Sequence, residues 1–398
     1  MHNHAHPHRR RPAQVEFPGD SPSRRDFFKT LMHGALAGAS ILELAYHRAA
    51  WARAMAPSAG STQLFDIEKV ADGVYCALAR AQAEINSNAA IFVNSSDVLI
   101  VDAHSKPSAA ASLIAQLKKE VTTKPVRYVV NSHFHWDHTQ GNHAYRALGG
   151  KIDFIASEPT RQLLSDLARQ RLQASLDEAP KQIEALRSRA EKSRSSAEKA
   201  FCEDQIRQLQ AYQAEMKNYT LELPTITFAK SHVIKDKDHE LHLEFHGRAH
   251  TAGDVVVFCP QKRVISTGDM IHGFLPFIAD GFPKTWPQTM DSVNRLAFDH
   301  ILPGHGPVHH DHQRLINMRN YIEELTEKVE AGKKAGKSIA ELQRTITVAS
   351  LKSMQSNGYS KYVSDNQYKY FPNFGPAAPL QDGVNTNIVE VYNNLEKV

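Results

Sequence analysis

The run Asn131-Ser132-His133-Phe134-His135-Trp136-Asp137-His138 places four metal-capable side chains, His133, His135, Asp137 and His138, within six residues. Three imidazoles and a carboxylate this close repel one another when charged and resist burial when unpaired. A divalent cation such as zinc satisfies all four through short N and O bonds, so the pattern points to metal chemistry. The preceding Val126-Arg127-Tyr128-Val129-Val130 is β-branched and aromatic and predicts a buried strand, which puts the cluster on a loop at a strand end.

Three fragments of the second half have the same character: Gly247-Arg248-Ala249-His250-Thr251-Ala252-Gly253-Asp254, Ser266-Thr267-Gly268-Asp269 and Leu302-Pro303-Gly304-His305-Gly306. Each sets a His or Asp beside glycine just after a strand-like run. Glycine lets the backbone turn sharply and lets loops approach closely, as a site assembled from several loops requires. Singly, each fragment reads more readily as a turn than as a ligand; alongside the cluster, the three gain weight together.

The elements that must position these residues are mixed. Phe65 to Val70, Val74 to Leu78, Ala89 to Asn94 and Val98 to Val101 predict a β-meander with turn-prone Asp72-Gly73, Asn86-Ser87-Asn88 and Asn94 to Asp97 between strands. Pro107 to Glu120 carries Leu113, Ile114 and Leu117 at helical spacing and leads into the strand before the cluster, a βαβ step. Gln140 to Leu148 predicts a short helix, Ile152 to Ala156 a strand.

Residues 158–218 turn to Glu, Lys, Arg, Gln and Ala, with one apolar stripe of Leu172, Leu176, Ala179, Ile183, Leu186 and Ala190 and another of Cys202, Ile206, Leu209 and Met216. This predicts a helical hairpin turning near Ser193 to Ser196, with Pro180 breaking or kinking its first arm. It reads either as a lid or homodimerisation arm or as a solvated insertion packing on itself. Strands return at Ile226 to Phe228, Glu240 to Phe245, Val255 to Cys259 and Val264 to Ser266. From His310 onward the chain reads as helical, including Leu315 to Ala331 and Ile339 to Met354, then as an irregular wrap over Tyr359 to Asp382 and a last helix over Asn387 to Leu395.

The 398 residues suffice for one large domain or two ordinary ones, and the 41% hydrophobic content is that of a soluble globular protein. A net charge of +4, from 47 basic and 43 acidic residues, argues for neither a nucleic-acid groove nor a polybasic membrane surface. Cys76, Cys202 and Cys259 form no CxxC pair and read as buried fillers. Ser23-Arg24-Arg25-Asp26-Phe27-Phe28-Lys29 resembles the bacterial twin-arginine export signal, followed by a weakly apolar run from Leu31 to Tyr46 and by Ala52-Arg53-Ala54 before an expected cleavage site. The resemblance implies a removed segment over 1–54, a mature protein beginning near Met55, the twin-arginine translocase as partner and a periplasmic location. An uncleaved anchor is the alternative. His2, His4, His6 and His8 lie upstream and would leave with the signal.

From Phe65 to His310 the chain resembles the metallo-β-lactamase-fold hydrolases, whose pattern is a strand-end Asp, then His-x-His-x-Asp-His, then a lone His, a lone Asp and a final His. Asp102, the cluster, His250, Asp269 and His305 occur in that order. The resemblance implies an α/β fold, an αββα sandwich over 62–310 carrying the helical hairpin 158–218 as an insertion and followed by a mostly helical C-terminal extension over 311–398. It further implies that His133, His135 and His250 hold one metal, that Asp137, His138 and His305 hold a second, and that Asp269 bridges them, with Asp102 buttressing the loop. The expected cofactor is two Zn2+, with iron or manganese as alternatives. A water shared by two such ions ionises near neutral pH and attacks a carbonyl, Asp137 orienting it, which gives hydrolysis of an ester, thioester, lactone or amide, β-lactams included.

Subfamily patterns narrow this. His138 argues against the lactamases that use a cysteine at the second metal, and Asp269 favours the glyoxalase-II-like branch over the His-rich class B3-like lactamases. His135 stands where flavodiiron reductases usually carry Glu. Nuclease relatives fit poorly with export and balanced charge, so a small-molecule substrate and no nucleic acid are expected. The apolar loop after Asp269 is expected to line the substrate pocket through His272, Phe274 and Trp286. An iron-dependent persulfide dioxygenase is the competing activity, and a non-catalytic metal-binding protein a third.

Overall fold

The computed structural model describes residues 63–80, 86–194, 196–370 and 380–397, so the export-like segment lies outside the described residues. Strands β1 (Phe65–Ala71), β2 (Val74–Ala79), β3 (Ala89–Val93) and β4 (Val98–Val101) form the expected antiparallel meander. Helix α1 (Pro107–Glu120), opened by a proline whose missing N–H has no intrahelical partner to lose, crosses to β5 (Val126–Val130), which lies parallel to β4. After α2 (Trp136–Thr139) and α3 (Asn142–Arg146), β6 (Asp153–Ser157) and β7 (Ile226–Phe228) continue the parallel half of a seven-stranded sheet ordered β1 to β7. A second, five-stranded sheet contains β8 (Ser231–Lys235), β9 (Glu240–Glu244), β10 (Val256–Cys259), β11 (Val264–Gly268) and β12 (His300–Pro303), in the order β12-β11-β10-β9-β8.

Strand alternation sets the layers. On β3, Ala90 and Phe92 share one buried cluster with Leu241, Leu243, Val257 and Leu302 of the second sheet, while Ala89 and Ile91 share another with Leu113, Ile114 and Leu117 of α1. The outer face of the second sheet, with Val256, Phe258, Ile265 and Ile301, packs on Met290 and Val293 of α6 (Trp286–Val293) and on Leu315, Met318 and Ile322 of α7 (Gln313–Lys334). The order is helix, sheet, sheet, helix, the αββα sandwich. Each fully buried Leu, Ile or Phe in these clusters contributes roughly 1.5–3 kcal/mol of transfer free energy.

The hairpin forms from α4 (Glu158–Lys192) and α5 (Ser196–Met216). Contrary to the expected break, α4 runs through Pro180 as one helix. Proline cannot bond the carbonyl of Leu176 four residues back, and that oxygen instead accepts from Gln213 Nε2 of the second arm at 3.4 Å. The expected stripe also divides. Ile183 and Leu186 pack on Phe201, Cys202 and Leu209, whereas Leu172 and Leu176 are half-buried and line a cavity.

Other expectations are corrected. The cluster is not wholly in a loop, because Asp137 and His138 lie on the one-turn helix α2, and the helix expected over Gln140 to Leu148 is the shorter α3. Strand β8 was not foreseen. The tyrosine- and asparagine-rich tail is helical, not irregular, at Tyr359–Tyr370, where Tyr359 and Val363 bury a stripe at i and i+4. With α8 (Ile339–Thr345), α9 (Lys352–Gln355) and α10 (Tyr359–Tyr370) before it, the last helix, α11 (Leu380–Asn394), begins earlier than expected. No helix among the described residues is long and apolar enough to cross a membrane.

Candidate metal centre

The parallel strands end on one rim, and their C-terminal loops carry the site. Asp102 follows β4, His133 and His135 follow β5, Asp269 follows β11 and His305 follows β12, while His250 comes from the loop between β9 and β10. His135 Nδ1 stands 3.0 Å from His133 Nε2 and 2.9 Å from His250 Nε2. One proton can join only one such pair of ring nitrogens, whereas a cation at their meeting point would accept a lone pair from all three. Asp269 Oδ2 completes this group, 3.6 Å from His250 Nε2 and 3.9 Å from His133 Nε2.

A second group gathers beside it. Asp137 Oδ2 lies 3.3 Å from His138 Nε2 and 3.0 Å from His305 Nε2, and those two ring nitrogens are 3.2 Å apart. Asp269 reaches this group too, Oδ1 at 3.3 Å from His138 Nε2 and Oδ2 at 3.4 Å from His305 Nε2. Its Oδ1 is buried with no hydrogen-bond partner. None of the seven residues is more than 8% exposed. Such a packing of carboxylates and imidazoles, with an orphaned carboxylate oxygen at its centre, fits two metal ions sharing Asp269.

Outer contacts fix the rings. A carbonyl or carboxylate only accepts, so the ring nitrogen facing it carries the proton and leaves the other as a lone-pair donor. His250 Nδ1 donates to Phe277 O at 3.0 Å, His135 Nε2 to Asp280 Oδ2 at 2.8 Å and His138 Nδ1 to Asp102 Oδ2 at 2.8 Å. His133 Nδ1 faces Ser132 Oγ at 3.0 Å, a hydroxyl that itself donates to Asp102. In each case the freed nitrogen is the one pointing into the groups above.

Burial, reinforced by the neighbouring imidazoles, holds His133 and His250 well below the usual histidine range, which keeps them neutral. For Asp137 and Asp269, burial opposes ionisation, but His138 and His305 outweigh it and keep both carboxyls well below their usual range. Burial likewise opposes charge on His305, yet Asp269 and Asp137 raise it to about 9. The second group thus draws positive charge inward whether proton or metal supplies it.

Loop fastenings hold the ligands in register. Asp102 has φ 70°, a left-handed value that Asp and Asn tolerate better than most residues, and in that pose it accepts from Ser132 N and Ser132 Oγ at 2.8 Å each. Gly304 is needed for closeness, since a Cβ there would lie 2.1 Å from Asp269 Oδ1. Ser157 Oγ and Thr160 Oγ1, at the root of α4, donate to Gly253 O in the His250 loop at 2.6 and 2.8 Å. The C-terminal helix α11 grips the loop over residues 276–280. Asn387 Nδ2 donates to Pro276 O at 2.8 Å and Asn394 Nδ2 to Ile278 O at 2.6 Å, while Ile278 N donates to Glu390 Oε2 at 3.0 Å.

All seven residues expected as ligands converge, and Asp102 touches the second group through His138. Of the expected pocket residues, His272 is buried with both ring nitrogens unpartnered, Nε2 at 3.5 Å from Asp269 Oδ2. Phe274 packs on His272 with ring centroids 4.9 Å apart. Trp286 is fully buried, donates from its indole N–H to Met270 O at 3.1 Å and places its ring centroid 5.6 Å from that of His250. A cavity lined by His135 and by residues of the hairpin opens beside the first ligand group. Sequence reasoning missed Asp280 and Arg171. A lone acid in the apolar run Ile278-Ala279-Asp280 could have marked the first, but Arg171 is one cation among many on α4.

A family model described as the metallo-beta-lactamase superfamily matches residues 84–305. Among solved structures, the chain is similar to a metallo-beta-lactamase from Pontibacter korlensis, at 18% identity and a TM-score of 0.48, covering 65% of this chain and 99% of that one. The DIM-1 and TMB-1 metallo-beta-lactamases are each similar at 16% identity and a TM-score of 0.47, covering 65% of this chain and 97% of theirs. With a family model spanning more than half its length and both His/Asp groups at the rim of an αββα sandwich, this chain belongs to the metallo-β-lactamase superfamily, most of whose members are hydrolases.

Proposed function

We propose that this chain is an exported dinuclear zinc hydrolase of the glyoxalase-II-like branch, acting in the periplasm on an ester, thioester, lactone or amide of a small molecule. The observation that carries the reading is Asp269, one carboxylate within 3.6 Å of His250 and 3.4 Å of His305, shared between two ligand groups. His133, His135 and His250 would hold one ion, Asp137, His138 and His305 the other, and Asp269 both. Two such ions supply an ionised water at neutral pH and polarise a carbonyl. The chain's own residues do the rest. Asp137, kept ionised beside His138 and His305, accepts a hydrogen bond from the attacking water and orients it. Burial of all seven side chains keeps bulk water from competing. The twin-arginine-like Ser23 to Lys29 supports export, because that route carries folded, metal-loaded proteins.

Metal analysis of the purified protein with a panel of β-lactam, lactone, thioester and phosphoester substrates tests this. About two zinc per chain, with hydrolysis abolished by Asp137→Ala, is the expected result. One iron per chain with thiol-dependent oxygen uptake would overturn it in favour of a persulfide dioxygenase.

A further inference from the structure

The cavity beside His135 measures about 380 Å3, within the roughly 300–1,000 Å3 of small-molecule sites. It is lined by Phe134 and Trp136, which flank His135, and by Leu172 and Leu176 of α4. Among the described residues, the Arg and Lys side chains that line it are Arg169, Arg171 and Lys217, and no Asp or Glu lines it. Arg171 is committed, its Nη1 and Nη2 each 2.8 Å from Asp280. The side chains of Arg169 and Lys217 are exposed and make no hydrogen bond or ion pair with the described residues. Tyr219 lines the same space, with its hydroxyl buried and unpartnered.

An apolar slot rimmed by two uncommitted cations, with a spare hydroxyl inside, is complementary to a molecule that joins an anionic group to an apolar, ring-sized body. We propose that the hairpin builds this cavity to select carboxylate-bearing substrates, Arg169 and Lys217 meeting the anion while Phe134, Trp136, Leu172 and Leu176 hold the apolar body beside the metal groups. This deepens the hydrolase reading and rests on it for the identity of the reacting bond, though not for binding. The two cations act on affinity, not on the reacting atoms. They are specificity residues of the inserted arm.

The test uses the zinc-loaded full chain, with 2-naphthoate and its neutral counterpart 2-naphthamide titrated by isothermal calorimetry, before and after a chelator. The expected result is naphthoate binding about tenfold tighter than the amide, a preference that persists after chelation and shrinks as salt is raised. In R169Q/K217Q, two exposed positions whose change leaves the core intact, the preference disappears and naphthamide binding is unchanged. A preference that vanishes on chelation would place the anion on the metal instead, and one that survives the double substitution would place it elsewhere; either overturns the proposal. In turnover, the double variant should raise KM for a carboxylated aryl ester about tenfold at unchanged kcat. Anion preference without hydrolysis of any panel substrate would overturn the hydrolase reading and uphold the cavity, while hydrolysis without anion preference would do the reverse.

Discussion

His135 and Arg171 meet on a single carboxylate oxygen: Asp280 Oδ2 lies 2.8 Å from His135 Nε2 and 2.8 Å from Arg171 Nη1. Arg171 also stacks its guanidinium 4.8 Å over the Phe134 ring, next to His135 in the chain. The inserted hairpin is therefore joined to the first ligand group through Asp280, which accepts two hydrogen bonds from Arg171 and one from His135, and through a cation–π contact. Asp280, held well below its usual range by Arg171 and His135 against the effect of burial, is the hinge of that connection.

Arg171→Met removes the two hydrogen bonds that fix the Asp280 carboxylate, so that it orients His135 less firmly. Outer partners of metal-binding histidines typically contribute 10–100-fold in affinity. The expected outcome is a loss of about tenfold in affinity for the first metal, read by competition with a chromophoric chelator, with the second metal little changed. Equal losses at both sites would refute the connection.

Gly304→Ala tests the closeness of the β12 loop to the shared carboxylate. The added methyl carbon would stand 2.1 Å from Asp269 Oδ1 and 2.9 Å from His138 Cε1, distances that force one of them aside. Far-UV circular dichroism should stay unchanged while bound metal falls below about one ion per chain.

Asp102→Asn retains a side chain that tolerates the left-handed backbone but replaces an acceptor-only carboxylate with an amide. His138 Nδ1, Ser132 N and Ser132 Oγ now all donate to Asp102. An amide nitrogen facing any of these donors would turn His138 or loosen the loop, and affinity at the second site should drop about 10–100-fold. Calorimetric metal titration resolves it as the loss of one binding step of two.

Glu390 predicts a pH dependence. Burial raises its carboxyl to about 7, with Asp280 adding to the shift and Ile278 N–H and Asn387 opposing it. A folded-state value above the unfolded one means that the contribution to stability is complete below about 4.5 and is lost as pH rises through about 7. Relative to Glu390→Gln, which carries no charge at any pH, the wild type should lose roughly 2–3 kcal/mol of unfolding free energy between pH 5 and pH 8.5. Urea titrations of the two proteins at both pH values measure the difference, and parallel pH profiles would contradict it.

How much of this could be read from the chain depended on distance. The meander and α1 were readable because their signal is local: Ala89 to Val93 alternates between two cores, and Leu113, Ile114 and Leu117 recur at helical spacing. The first-half ligands were readable for the same reason, all four within six residues, and the others through the order of their motifs. Strand β8 was missed because only Ile234 of its five residues is buried, as befits the edge of a sheet. Pro180 misled because the bond that accommodates it comes from Gln213 on the other arm. Arg171, Asp280 and Tyr219 could not be singled out at all, since each acquires its role only when the hairpin folds back over the histidine loop.

The grip of α11 on residues 276–280 bears on how the protein is made. A nascent chain that has emerged as far as His305 already contains every ligand, yet the loop offering Phe277 O to His250 and Asp280 to His135 lacks its C-terminal fastening until Asn387, Glu390 and Asn394 have followed. Ligand order along the chain and completion of the site are thus separated by synthesis of the whole C-terminal extension. Metal captured during translation would meet an unfinished first site, and a chain cut short before α11 would keep all seven ligands while lacking the last clasp on two of them.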